Sequence, residues 1–99
     1  MRTGDVVVVT GAAKGIGRYA ARTLAKEGAR LALTDIAALD TTSADLRELG
    51  AEVLALKADA RDEDQVKAAV EQIIKRFGRI DGLINNAGIV THFSWSPRW

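Results

Sequence analysis

Cysteine is absent from the 99-residue chain, histidine and proline occur once each, and only five residues are aromatic. Without cysteine there is neither a disulfide framework nor a thiolate metal site, which fits a reducing compartment. His92 stands alone with no ligand-like companions, so no metal site is expected. No apolar run approaches the ~20 residues of a membrane span. Met1 to Asp5 lead into the chain with no apolar segment of the secretory type, so the expected location is cytoplasmic and no membrane partner is expected. Charge of one sign is lacking too: 14 basic and 13 acidic residues are interspersed, for a net charge of +1. Nothing there forms the footprint of a nucleic-acid backbone, and nucleic acid is not an expected partner. What remains, 47% hydrophobic and 27% charged, is globular material for at most one small domain.

The chain is organised around Asp5 to Gly17. Val6 to Val9 are β-branched without alternation, as in a parallel strand covered on both faces. Gly11, Gly15 and Gly17 follow at G-x-x-x-G-x-G spacing. Missing side chains there let the chain turn tightly, let a pyrophosphate approach the backbone and let helix pack on strand. The amides at the start of the next helix, at its positive end, would face that pyrophosphate.

A helix is predicted from Gly15 to about Glu27, with Ile16, Ala20 and Leu24 on one face, Ala21 and Ala25 beside them, and Gly28 as its cap. Ala29 to Thr34 reads as the second strand, with Asp35 at its tip. Asp35 lies 18 residues after Gly17, near the ~20 at which dinucleotide-binding folds place an acid for ribose hydroxyls; a turn cap is the plainer alternative. A short helix near Thr42 to Leu49, anchored by Leu39, Leu46 and Leu49, precedes a third strand over Ala51 to Ala58. Asp59 and Ala60 end that strand, and Asp59 is a cap or a ligand contact. Asp62 to Phe77 is the clearest helix: Val66, Ala69, Val70, Ile73, Ile74 and Phe77 form its apolar stripe, Asp62 with Gln65 resembles a capping box, and Gly78 ends it. Ile80 to Ile84 is a fourth strand, followed by Asn85 to Gly88. The alternation implies an α/β fold: a Rossmann-like parallel sheet with helices on both faces, four strands in the order 3-2-1-4. Its ligand crevice opens at the strand C-termini between the first and fourth strands.

Thr10 to Gly17, with Asp35, Asp59 and Asp81 to Gly88, resembles the N-terminal part of a short-chain dehydrogenase/reductase over about residues 5 to 90. The resemblance implies that Gly11, Ala13, Lys14, Gly15, Ile16 and Gly17 form the pyrophosphate turn, that Asp35 holds the adenosine ribose and that Asp59 with Ala60 borders the adenine. Asn86, Ala87 and Gly88 would support the sheet and reach the cofactor ribose; tying neighbouring strands together is the structural alternative for the asparagines.

Lys14 and Asp35 pull cofactor choice in opposite directions. An exposed lysine–phosphate pair contributes ~0–1 kcal/mol, whereas a carboxylate beside a 2′-phosphate costs up to ~4 kcal/mol per unit charge at an effective dielectric near ~20. NAD is therefore expected over NADP.

The catalytic serine, tyrosine and lysine of that family have no counterpart in these residues. The single tyrosine, Tyr19, has Thr23 rather than a lysine four positions on. Residues 1–90 are thus expected to be a NAD-binding half-domain and residues 91–99 a tail foreign to the family, in which Phe93, Trp95 and Trp99 either mark an aberrant terminus or cover apolar surface. The fourth strand, central in a complete sheet, would become an edge through which the chain forms homo-oligomers. An inactive cofactor-binding part of an oxidoreductase is the leading expectation; a non-catalytic nucleotide-binding module and a vestigial, self-associating one are the alternatives.

Overall fold

The computed structural model describes residues 2–86. The expectations for Ala87, Gly88 and the tail of residues 91–99 lie outside those described residues. Seven elements alternate along the chain: β1 (Val6–Thr10), α1 (Gly15–Lys26), β2 (Arg30–Asp35), α2 (Asp40–Glu48), β3 (Val53–Lys57), α3 (Glu63–Phe77) and β4 (Gly82–Ile84). The strands form one parallel sheet in the order β3-β2-β1-β4, as the sequence implies. Val8 lies opposite Ala32 on one side and Leu83 on the other, so β1 is central and all strand C-termini share one rim.

The valine run is buried on both faces, and its alternation divides the core. Val7 and Val9 join Leu31, Leu33 and Leu46 beneath α1 and α2, while Val6 and Val8 meet Ala32, Ile73 and Phe77 beneath α3. Leu31, Leu33, Leu46 and Ile73 are fully enclosed, each contributing about 1.5–3 kcal/mol by leaving water.

Two expected anchors face solvent. Ile16 is 75% exposed, and the buried stripe of α1 is instead Gly17, Ala21 and Ala25. Spacing of four selects this stripe as readily as the one through Ile16, and its small residues win because they let α1 lie close to the sheet. Leu49 is 38% exposed, since it falls at the C-cap of α2 after the helix has turned its last buried residue, Leu46, to the core. On α3 the expected stripe is found, with Ala69, Ile73 and Phe77 buried and Val66, Val70 and Ile74 half-buried. Val66 and Val70 line a cavity of about 370 Å³ between α3 and β4, together with Val8, Ile73 and Leu83 among others.

At the opposite end of the sheet from the strand C-termini, Asp81 fastens β4 to β1. Its Oδ2 accepts the Val6 N–H at 2.8 Å, its own N–H donates to the Val6 carbonyl at 2.8 Å, and Arg79 donates to its Oδ1 at 2.6 Å. No described helix is long and apolar enough to cross a membrane.

Candidate functional site

The three glycines of the first turn perform three different tasks. Gly11 is left-handed at φ 63°, and a Cβ there would lie 2.9 Å from the Asn86 carbonyl oxygen. Gly17 is ordinary helix, yet a Cβ would lie 2.1 Å from the Gly11 carbonyl oxygen and 2.9 Å from the Asn86 amide nitrogen. Gly11, Gly17 and Asn86 therefore close on one another, and the turn sits directly on the end of β1. Gly15 differs: at φ 62° it is also left-handed, but its Cβ position faces open space. Room and backbone freedom coincide where an external group can approach.

That open position begins α1. Lys14, the N-cap, is extended and exposed and forms no side-chain cap hydrogen bond, and no acidic residue occupies the first turn. The first amides of a helix lack intrahelical acceptors and carry its positive end. Among the described residues no side chain caps those amides.

Asp35 stands beside it. Its Oδ2 accepts the Ala13 N–H at 2.9 Å and its Oδ1 the Ala37 N–H at 2.9 Å, so the carboxylate is held at the rim by the turn on one side and its own loop on the other. The Ala12 N–H donates to the Thr34 carbonyl at 3.2 Å, continuing the β1–β2 contact into the turn. The Ala58 N–H donates to the Asp35 carbonyl at 3.0 Å, which brings the segment from Ala58 to Ala60 alongside. Ala60, Thr10, Thr34 and Asn85 border the cavity where it reaches the rim.

Asp59 is occupied locally. Its carboxylate accepts from the Arg61 backbone at 2.9 Å and from the Arg61 guanidinium at 3.2 Å, and this pairing holds its pKa below the ordinary carboxylate value. That is the geometry of a turn residue; Ala60, not Asp59, lines the cavity. Asn86 donates its N–H to Thr10 Oγ1 at 2.8 Å and its side-chain amide to the Gly11 carbonyl at 3.4 Å, while the Thr10 hydroxyl donates to Asn85 Oδ1 at 3.0 Å. The asparagine pair thus ties β4 to the turn after β1.

The sequence reading brings Gly11, Ala13, Lys14, Gly15, Ile16, Gly17, Asp35 and Asn86 onto one rim, and the structure places them there together. It overlooks Thr42. This residue of α2 is fully buried, and its hydroxyl donates to the Ala12 carbonyl at 2.9 Å and lies 3.2 Å from that of Ala13. The only trace in the sequence is the run Thr41, Thr42 and Ser43 at the start of a short helix, hydroxyl residues that favour turns over helix interiors. Arg18 and Arg22 of α1 hold Asp45 of α2 and fix the two helices side by side; their hydrogen bonds keep the Asp45 pKa low.

A parallel sheet with a glycine turn, an uncapped helix start and an acid at the second strand tip is the arrangement of the first half of a doubly wound α/β protein. The chain belongs to the short chain dehydrogenase family, whose sequence model matches residues 5–97. It is 48% identical over 91 residues to levodione reductase of Leifsonia aquatica, an alignment covering 88% of this chain and 34% of that protein. The structure of NAD+-bound xylitol dehydrogenase superposes with a TM-score of 0.84 at 40% identity, over 88% of this chain and 34% of the other. Carveol dehydrogenase from Mycobacterium avium in complex with NAD gives a TM-score of 0.83 at 30% identity, over 93% and 38%. The chain spans about a third of the length of these relatives.

Proposed function

We propose that the chain is the cofactor-binding part of an NAD-dependent oxidoreductase acting on an alcohol or carbonyl compound. The observation that carries this reading is the junction of Gly15 and Asp35. An uncapped helix start with open space over a left-handed glycine adjoins a carboxylate pinned to the same turn through Ala13. The first suits a pyrophosphate and the second a pair of ribose hydroxyls. When bound, the cofactor supplies hydride transfer at its nicotinamide; the residues described here bind and orient its adenosine side. Gly11, Ala13, Lys14, Gly15, Ile16 and Gly17 form the pyrophosphate turn, Asp35 takes the ribose and Asp59 with Ala60 borders the adenine. Asn86, together with Ala87 and Gly88, is assigned to the cofactor's other ribose.

The preference is for NAD over NADP. Asp35 is bonded to two backbone amides and so is not free to swing away from a 2′-phosphate, whereas Lys14 is exposed and forms no ion pair among the described residues. No catalytic serine, tyrosine and lysine set at family spacing occurs in the 99 residues, so the chain alone is proposed to bind without turning over. We infer a homo-oligomer through β4, which pairs with β1 alone among the described strands and borders the open cavity.

Calorimetric titration of the chain with NAD+ and NADP+ tests the reading, followed by a turnover assay and sedimentation. Saturable NAD+ binding, weaker NADP+ binding and no turnover are expected. Equal affinity for both cofactors would refute the role given to Asp35, and a chain that binds neither would favour the vestigial alternative.

A further inference from the structure

We infer that Thr42 is a positioning residue for the dinucleotide, acting through the backbone of Ala12 and Ala13; the inference rests on the cofactor-binding reading above. The hydroxyl of Thr42 is fully buried and has one proton to donate, with the carbonyl oxygens of Ala12 at 2.9 Å and Ala13 at 3.2 Å both within reach. Each carbonyl shares a rigid peptide plane with the next residue's N–H. Holding the Ala12 carbonyl therefore aims the Ala13 N–H, which donates to Asp35. Holding the Ala13 carbonyl aims the N–H of Lys14, at the open start of α1. One hydroxyl so sets the direction of two amides, one serving the ribose carboxylate and one facing the pyrophosphate position.

The clamp comes from outside the glycine motif and has little freedom to yield. Leu39 and Leu46 anchor α2 in the core on either side of Thr42, and Asp45 of α2 is held by Arg18 and Arg22 of α1. The glycine turn, whose own residues provide freedom at Gly11 and Gly15, is in this way made to adopt one conformation before ligand arrives. Preorganisation of this kind strengthens binding by removing ordering that the ligand would otherwise have to impose.

The test is NAD+ affinity of Thr42→Val, which keeps shape and loses the donor, measured well below its unfolding temperature, with Thr42→Ser as the rescue. Loss of one buried donor is expected to weaken NAD+ about tenfold, with Thr42→Ser within about twofold of the parent on the same scale. A role in stability alone would lower the melting temperature of Thr42→Val while leaving the affinity of the folded protein unchanged. That result, or failure of serine to rescue, overturns the inference. Amide exchange provides a second reading: the Ala13 N–H should exchange faster in Thr42→Val while the Val8 N–H does not, and equal rates at Ala13 overturn the clamp. Should the valine variant not fold, Thr42→Cys, a weak donor of similar shape, is expected to bind with intermediate affinity, and parental affinity there has the same negative meaning. A parent chain that does not bind NAD+ refutes the cofactor reading and this inference with it, whereas a binding parent with an unaffected variant refutes the inference alone.

Discussion

The starts of α1 and α3 are the same kind of object treated in opposite ways. At α3 the Asp62 side chain accepts the amides of Asp64 and Gln65 at 3.0 and 3.2 Å, Glu63 and Asp64 face the positive end, and Lys75, Arg76 and a left-handed Gly78 finish the other. At α1 there is no side-chain cap and no acid in the first turn, and the helix's first residue, Gly15, opens onto empty space. A helix that satisfies its own terminus has no use for an external anion. One that leaves its terminus bare, in a chain that writes a side-chain cap 48 residues later, leaves its first amides available to an external acceptor.

The largest effect expected concerns what holds the bare terminus in place. Gly17→Ala would put a methyl 2.1 Å from the Gly11 carbonyl oxygen, a contact with backbone that neither partner can relieve by rotating a side chain. A destabilisation of at least about 3 kcal/mol is expected, read from the urea midpoint at unchanged slope. A variant as stable as the parent would mean that the turn is looser than the structure shows.

Next come the two termini themselves, exchanged in their consequences. Gly15→Ala meets no steric obstacle and carries only the left-handed penalty, about 1–2 kcal/mol, yet it should weaken NAD+ at least about tenfold because its methyl occupies the approach to the helix start. Asp62→Ala should cost about 1 kcal/mol of stability and leave NAD+ affinity untouched. Equal losses of affinity in both variants would break the contrast.

A third expectation separates the two ends of the sheet. Burial raises the Asp81 pKa, but the Val6 N–H and the Arg79 guanidinium outweigh it, leaving the carboxyl below its ordinary value. A carboxylate depressed in the folded state contributes stability that is complete above the ordinary value and is lost as pH falls through the lower, folded one. Stability should therefore drop on the acid side below about pH 4. Asp81→Asn should flatten part of that limb and cost about 1 kcal/mol at neutral pH, with NAD+ affinity unchanged because Asp81 lies at the opposite end of β1 from the glycine turn.

Features with a local code were readable from the sequence. The valine run, the α3 stripe, the capping aspartate and the strand order all follow from periodicity, turn residues and the handedness of crossovers. Even there the capping box differs in detail, since Gln65 accepts the Asp59 N–H at 2.8 Å, while the Asp62 N–H donates to the Asp59 carbonyl. The side chosen by α1 was not readable, because Ile16–Ala20–Leu24 and Gly17–Ala21–Ala25 share one spacing and only the closeness of the sheet decides between them. Thr42 was not readable either. Its importance depends on carbonyls thirty positions earlier in the chain, and no pattern within α2 points to them.

The smallest effect concerns the neighbour of Thr42 and sharpens the contrast at the scale of single hydroxyls. Ser43 is only 3% exposed, and its Oγ is the one buried side-chain oxygen or nitrogen without a hydrogen-bond partner among the described residues. Two adjacent hydroxyls are thus equally enclosed, one bonded to the turn and one bonded to nothing. Burial of an unsatisfied hydroxyl is unfavourable, and alanine is the better helix former by roughly 0.5 kcal/mol. Ser43→Ala should therefore stabilise the chain by about 1 kcal/mol, raising the melting temperature by roughly 4–8 °C in a domain of this size, whereas Thr42→Val should lower it. Opposite signs at neighbouring positions of equal burial would show that the structural value of each hydroxyl lies in its partner rather than in its polarity. A fall for Ser43→Ala would instead reveal an acceptor or a bound water at Ser43 in solution.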